Sequence, residues 1–158
     1  MKELAGAAET AVAATAPECL ALLSAVERYP EWYPEVIRRA AVTGRDAAGR
    51  PTRARATVRF SAGPLAHDFE LTLEVEVRED GVRLIRVPHE PSDPERFEVD
   101  WRVGDGPAAT IGVRLSACLD VPRLLPLGGA GESAAQGLVA AAKRALEGSR
   151  PNASASSS

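Results

Sequence analysis

Between residues 52 and 119 the chain repeatedly alternates apolar and polar side chains with a period of two, a pattern that a helix of 3.6 residues per turn cannot hold on one face. From Thr52 to Phe60, Ala54, Ala56, Val58 and Phe60 fall on one side and Arg53, Arg55, Thr57 and Arg59 on the other. From His67 to Val77, Phe69, Leu71, Leu73, Val75 and Val77 alternate with Asp68, Glu70, Thr72, Glu74 and Glu76. Phe97, Val99, Trp101 and Val103 share a third face. Ala109, Ile111, Val113, Leu115, Ala117 and Leu119 share a fourth. Successive side chains of a strand point to opposite sides of its sheet, so these segments read as strands with one dry and one wet face. The links Ser61 to Ala66 and Gly104-Asp-Gly-Pro107 carry turn residues and make antiparallel hairpins. A turn centred near Gly63 and Pro64 sets Arg59 opposite Asp68 and Arg53 opposite Glu74, pairing charges on the wet face. Val82 to Val87 adds a strand whose faces are unassigned. Val36 to Thr43 adds a weaker one, ended by the turn-rich Gly44 to Gly49.

Helical signals flank this region. Thr15-Ala-Pro-Glu18 has the spacing of a capping box, with Pro17 in the first turn, and predicts a helix to about Val26 with Leu20 and Leu23 inward. Pro30 bars its simple continuation. Glu9 to Ala14 reads as a short first strand, with Met1 to about Ala7 frayed. After Pro122, Pro126 and the glycines between 128 and 131, Ser133-Ala-Ala-Gln136 reads as a second capping box, opening a helix to about Glu147 with Gly148 as its stop. The order predicts an α+β domain over residues 8–148, with one curved antiparallel sheet covered on its dry face by the terminal helix. The Ser/Ala tail, 149–158, is too poor in apolar surface to repay ordering and reads as disordered.

Composition narrows the function. A formal charge of −3 argues against nucleic acid, whose phosphates need a basic surface. Cys19 and Cys118 stand far apart without histidine clusters, so neither a disulfide framework nor a metal site is signalled. No leader or membrane-length apolar run is present, which reads as a cytoplasmic protein, monomer or homodimer. No Ser-His-Asp order, carboxylate pair or glycine-rich phosphate loop stands out, and no cofactor is implied.

The predicted terminal helix points to a cavity. Its sheet-facing candidates Ala134, Ala135, Leu138, Ala141, Ala142 and Ala145 are mostly too small to fill the hollow of a curved sheet, and Gly137 leaves a further gap. Apolar unfilled space of that kind suits a small hydrophobic ligand. Phe60, Phe69, Leu71, Leu73, Val99, Trp101, Val113 and Leu115 would line it from the sheet, and Leu138 and Ala141 from the helix. His67 falls on the dry face beside Phe60 and is the candidate for proton transfer or for hydrogen bonding a ligand carbonyl. His89 lies in a loop too irregular to place.

The stretch Val26-Glu-Arg-Tyr-Pro-Glu-Trp-Tyr-Pro-Glu-Val36 holds both tyrosines and one of the two tryptophans. Pro30 and Pro34 force a tight turn that presents Tyr29, Trp32 and Tyr33 as a compact plug. Such a plug closes the open end of a cavity, with Trp32 and Tyr33 near its mouth, or forms a hydrophobic corner, or grips a partner protein.

Taken with Ala16-Pro-Glu18, Gly49-Arg-Pro51, Phe97-Glu-Val-Asp-Trp101 and Gly137-Leu-Val-Ala-Ala-Ala-Lys-Arg144, this stretch resembles the START-like (SRPBCC) helix-grip superfamily. The resemblance covers roughly residues 8 to 148 and points to the polyketide cyclase/dehydrase and coenzyme Q-binding branches. It implies a six- to seven-stranded antiparallel sheet gripping a long C-terminal helix, with a deep apolar tunnel for a polyketide, quinone, sterol or lipid. Carriers and enzymes share that fold. The expectation is a binding or carrier protein for a small hydrophobic molecule; the alternatives are a polyketide cyclase, aromatase or dehydrase-like enzyme and a protein-interaction module.

Overall fold

The computed structural model describes residues 2–62, 64–120 and 129–148. The Gly63 turn position, the link through Pro122, Pro126 and Gly128, and the tail 149–158 lie outside the described residues. Seven strands form one antiparallel sheet: β1 (Lys2–Val12), β2 (Ile37–Arg45), β3 (Pro51–Ala62), β4 (Leu65–Arg78), β5 (Gly81–Arg86), β6 (Arg96–Gly104) and β7 (Ala109–Leu119). The spatial order is β1-β7-β6-β5-β4-β3-β2, so β2 to β7 follow one another as a meander and β1 closes on β7. Between β1 and β2 run α1 (Ala16–Ser24), a single 3₁₀ turn (Val26–Arg28) and α2 (Tyr29–Trp32); α3 (Ala130–Gly148) follows the sheet. The α+β helix-grip architecture read from the sequence is the one observed.

The hairpin register is the one the charges predict. Arg59 pairs with Asp68, Arg53 with Glu74 and Phe60 with His67. Arg59 donates to both Asp68 carboxylate oxygens at 2.7 and 3.1 Å, and Arg83 of β5 makes the same kind of pair with Glu98 of β6 at 2.7 Å. Each exposed pair contributes at most about 1 kcal/mol. The dry face carries the core, with Trp101 and Ile111 fully buried. One charged residue joins it. Arg86 shares a face with Val82 and Leu84, and there it donates to the Asp93 carboxylate at 2.7 Å and the Glu95 carbonyl at 2.9 Å. A guanidinium with two such acceptors is compensated for the loss of water.

Two expectations are corrected. β1 is not short and its start is not frayed: it pairs with β7 from Lys2 opposite Leu119 to Val12 opposite Ala109. Leu4 and Val12 are its fully buried side chains. Most of its order comes from ladder hydrogen bonds, to which an Ala-rich segment gives no clear alternating signature. The second capping box does not form either. α3 opens at Ala130, so the Ser133 amide already donates to the Gly129 carbonyl at 3.1 Å inside the helix. Packing sets that earlier start. A β-carbon on Gly6 would overlap the backbone of Gly131, and one on Gly131 would overlap the backbone of Ala5. Helix and strand therefore cross backbone to backbone.

The first capping box is present in both halves: Glu18 N–H donates to Thr15 Oγ1 at 3.2 Å and Thr15 N–H to Glu18 Oε1 at 3.1 Å. Pro30 stands in the first turn of α2, where its missing N–H breaks no helical bond. α3 packs chiefly along β1 and β7 and also meets α1 and α2. No described helix is long and apolar enough to cross a membrane.

Candidate functional site

A cavity lies between the dry face of the sheet, the segment from Val26 to Ala40, and α3. From the sheet its wall takes Ala56, Val58, Phe60, Leu73, Leu84, Phe97, Val99, Trp101 and Leu115. From the α1–β2 segment it takes Val26, Tyr29, Val36 and Ile37, with Ala40 of β2, and from α3 it takes Ala134 and Leu138. Its interior volume is about 60 Å³. That is room for roughly four or five water-sized spheres, far below the several hundred Å³ of a drug-sized site. The deep tunnel expected from the family resemblance is thus a narrow void in this structure.

The aromatic segment explains the difference. Tyr29 is 4% exposed and forms part of the wall, its hydroxyl donating to the Leu23 carbonyl at 2.5 Å. Trp32 packs against Tyr29 with ring centroids 4.9 Å apart and meets Trp101 edge to face at 6.4 Å. Tyr33 stacks on Trp32 at 6.5 Å and lays its hydroxyl over Gly137, where a β-carbon would overlap it. The gap that Gly137 leaves in α3 is therefore occupied by Tyr33. The segment bridges the sheet at Trp101 and the helix at Gly137.

Of the residues expected at the site, Phe60, Leu73, Val99, Trp101, Leu115 and Leu138 meet in the cavity wall. Phe69, Leu71 and Val113 are buried on the same sheet face but outside that wall. Ala141 is 1% exposed in α3 and is likewise not part of it. Trp32 and Tyr33 stand behind the wall as its support. His67 is half-buried at the start of β4, its ring 4.6 Å from that of Phe69, and does not reach the cavity. His89 lies in the exposed loop after β5, where its backbone N–H donates to Asp93.

The wall also holds residues the sequence did not single out as site residues. Tyr29, Phe97, Ala56, Val58 and Ala134 were on recognised apolar faces or in the plug; their places in the wall depend on how far the sheet curls. Leu84 sits on β5, whose irregular pattern hid its dry face.

Chemically the wall is apolar. None of its residues is a carboxylate, a histidine or a cation, and Tyr29 is its one ionisable group. Burial pushes the Tyr29 hydroxyl well above its ordinary value, against a smaller opposing effect from the nearby Trp101 indole. The neutral phenol is thus the form held in the wall. Burial raises Tyr33 as well, Glu35 adds to that, and Arg144 partly offsets it. Among the described residues no cluster of three or more His, Cys, Asp or Glu side chains is arranged to hold a metal.

The family of polyketide cyclase/dehydrase and lipid transport proteins matches residues 12–147. The chain belongs to this family. As a polyketide cyclase/dehydrase and lipid transport family member it has the expected structural likenesses. A START superfamily protein from Mycobacterium smegmatis is 21% identical with a TM-score of 0.69, over 92% of this chain and 97% of the other. Zhui aromatase/cyclase from Streptomyces sp. R1128 is 11% identical with a TM-score of 0.62, over 96% of this chain and 99% of the other. The di-domain aromatase/cyclase StfQ of the steffimycin biosynthetic pathway is 15% identical with a TM-score of 0.61; the match covers 92% of this chain and 51% of that one. At these identities the likeness establishes a shared fold. No curated protein matches the sequence significantly.

Proposed function

We propose that this chain binds a small hydrophobic molecule in the cavity between its sheet, its aromatic segment and α3, as a binding or carrier protein. The observation that carries the reading is the cavity wall, closed by aromatic and aliphatic side chains and free of charged groups. Affinity would come from burying ligand hydrocarbon at about 25 cal/mol per Å². At about 60 Å³ the void is smaller than the roughly 150 Å³ that takes a single benzene ring, so even a one-ring ligand requires the wall to move. The movable part is the short α2 segment, whose hold on α3 includes the Tyr33 side chain over Gly137. Polyketide, quinone and lipid chains all meet the apolar requirement, and the family description names polyketides and lipids.

A cyclase-like activity, as in the named aromatase/cyclases, would require a proton-transfer group at the ligand. His67 is outside the wall and Tyr29 is engaged with Leu23, so binding is the better supported role. The protein-interaction reading needs an exposed aromatic grip, whereas Tyr29 is buried and Trp32 and Tyr33 are half-buried.

Native mass spectrometry before and after organic extraction tests the proposal. An extractable neutral mass, or uptake of a long-chain lipid, quinone or aromatic polyketide, supports it. A bare mass that stays bare after incubation with all three classes overturns it.

A further inference from the structure

The outer, wet face of the sheet pairs most of its charges across neighbouring strands. Arg53 meets Glu74 at 3.8 Å, Arg59 meets Asp68 at 2.7 Å and Arg83 meets Glu98 at 2.7 Å. Arg39 of β2 and Arg55 of β3 depart from that pattern. Among the described residues their guanidinium groups have neither a carboxylate at ion-pair distance nor a hydrogen-bond acceptor. Both line one recess of about 370 Å³ on the outer face, together with Thr57, Glu70, Thr72 and His89.

The strand register brings these groups together. Arg39 stands opposite Thr57 and Arg55 opposite Ala41, so the two arginines are diagonal neighbours across β2 and β3. Diagonal positions lie about 7–8 Å apart, within reach of long side chains. A bulge between Ile37 and Arg39 sets this up. Strict alternation from the buried Ile37 would send Arg39 to the dry face; the extra residue turns it outward and gives the place in the cavity wall to Ala40. Across β3 and β4, Thr57 faces Glu70 and Arg55 faces Thr72, and both threonines are half-buried. His89 arrives from the loop after β5. Its backbone N–H donates to Asp93 Oδ2 at 3.2 Å, and Arg86 donates to the same oxygen at 2.7 Å, so the buried Arg86–Asp93 pair anchors the loop at the recess.

The recess therefore has a surplus of donors and of positive charge. Glu70 is its one carboxylate and stands on the far side of Thr57 from Arg39. A second recess on the outer face is different, because there Arg102 and Arg114 are balanced by Glu9 and Asp100. Two guanidinium groups on a diagonal repel, and an anion between them relieves that repulsion. A carboxylate offers two oxygens, enough for one guanidinium fork. A phosphate monoester offers three terminal oxygens and a charge of about −2, which suits both forks and a threonine hydroxyl together.

We infer that this recess binds a phosphate-type oxyanion, carried by a soluble monoester or by a lipid head group, with Arg39 and Arg55 as the residues that hold it. The site lies on the opposite face of the sheet from the apolar cavity and does not depend on the binding reading above.

The test titrates nitrogen-labelled full-length chain with glycerol 3-phosphate and, in parallel, with acetate at matched ionic strength. Glycerol 3-phosphate is too polar to enter the cavity. It is expected to give saturable shifts of the Arg39, Arg55, Thr57, Thr72 and His89 backbone amides, and acetate only weak, unsaturating ones. Both arginines are exposed, so Arg39→Gln and Arg55→Gln leave the core intact. Each should weaken glycerol 3-phosphate binding by about tenfold or more, the value of a charged hydrogen bond. Arg83→Gln removes the same charge outside the recess and should leave the affinity unchanged. Sedimentation with phosphatidylcholine vesicles containing or lacking phosphatidic acid separates the two sources. Binding to the phosphatidic acid vesicles that Arg39→Gln abolishes assigns a head group; glycerol 3-phosphate binding without it assigns a soluble monoester. Shifts that do not saturate, that acetate reproduces or that map away from these residues overturn the inference. So does an affinity that survives both substitutions, or one that Arg83→Gln weakens equally.

Discussion

The Tyr33 hydroxyl rests over Gly137, in the space a side chain at that helical position would need. Tyr33 comes from the end of the Tyr-Pro-Glu-Trp turn and Gly137 from the middle of α3, so this contact ties the aromatic segment to the terminal helix. Gly137→Ala sets two effects against each other. Alanine favours an interior helical position by about 1 kcal/mol, but its β-carbon evicts the tyrosine hydroxyl. That hydroxyl is the far end of a rotatable side chain and can swing outward. Stability is therefore expected to change by less than about 1 kcal/mol, while Tyr33 gains solvent and its pKa falls towards the ordinary tyrosine value. With two tyrosines in the chain and Tyr29 held higher by burial, the tyrosinate absorbance titration reads the change. An unaltered titration would mean that Tyr33 is not held by this contact.

Gly6 and Gly131 behave differently because their obstruction is backbone. Alanine at either position forces β1 and the first turn of α3 apart, which no rotamer change can absorb. Each substitution is expected to cost more than about 2 kcal/mol, the range of severe overpacking. Gly112→Ala in β7 is the control. Its β-carbon would meet Ala8 and Glu9 at 3.6 Å or more, ordinary contact, and should cost far less. Denaturant midpoints of the three variants provide the check.

The same contacts show what could be read from the sequence and what could not. Arg59, Asp68, Arg53 and Glu74 encode the register of β3 and β4 because side chains of opposite charge face each other along a two-residue period. Thr15 and Glu18 encode the start of α1 because both halves of the cap are local. β1 has no such code: its four alanines and Gly6 are ordered by β7, more than ninety residues away. The local capping pattern at Ser133 points to a later start of α3 than the observed Ala130, because the tertiary crossing at Gly131 outweighs it. At the site, the small residues of α3 were legible but the fate of the space they leave was not. Tyr33 returns from the first third of the chain to fill it, so the cavity is narrower than helix composition alone suggests.

Asp93 makes acid stability a reporter of the loop after β5. The Arg86 guanidinium, followed by the Glu95 and His89 backbone N–H groups, holds its carboxyl down at about 2. A depressed carboxylate stabilises the folded state fully above its unfolded pKa of about 3.9, and that contribution is lost as the pH falls through the folded value. Stability should therefore decline between about pH 4 and 2. Asp93→Asn removes the carboxylate, so the expected outcome is lower stability at neutral pH and a shallower decline over the acid range. Chemical denaturation of both proteins at pH steps across that window measures it. Parallel acid profiles would remove Asp93 as a determinant of this pH dependence.

Filling mutations separate the cavity from the core around it. Ala141 read from the sequence as a ligand contact, but it is 1% exposed and outside the wall, whereas Ala134 is half-buried and within it. Ala141→Phe must force a ring into filled space, at a cost of about 1–3 kcal/mol or more. For a chain of this size that is a fall in Tm of several degrees, roughly 2–4 °C per kcal/mol. Ala134→Leu instead extends into the void, and it should leave Tm nearly unchanged while abolishing uptake of the hydrophobic ligand that the wild type takes up. Differential scanning calorimetry and ligand titration on the two variants distinguish these effects. If Ala134→Leu binds as tightly as the wild type, the ligand does not occupy this cavity.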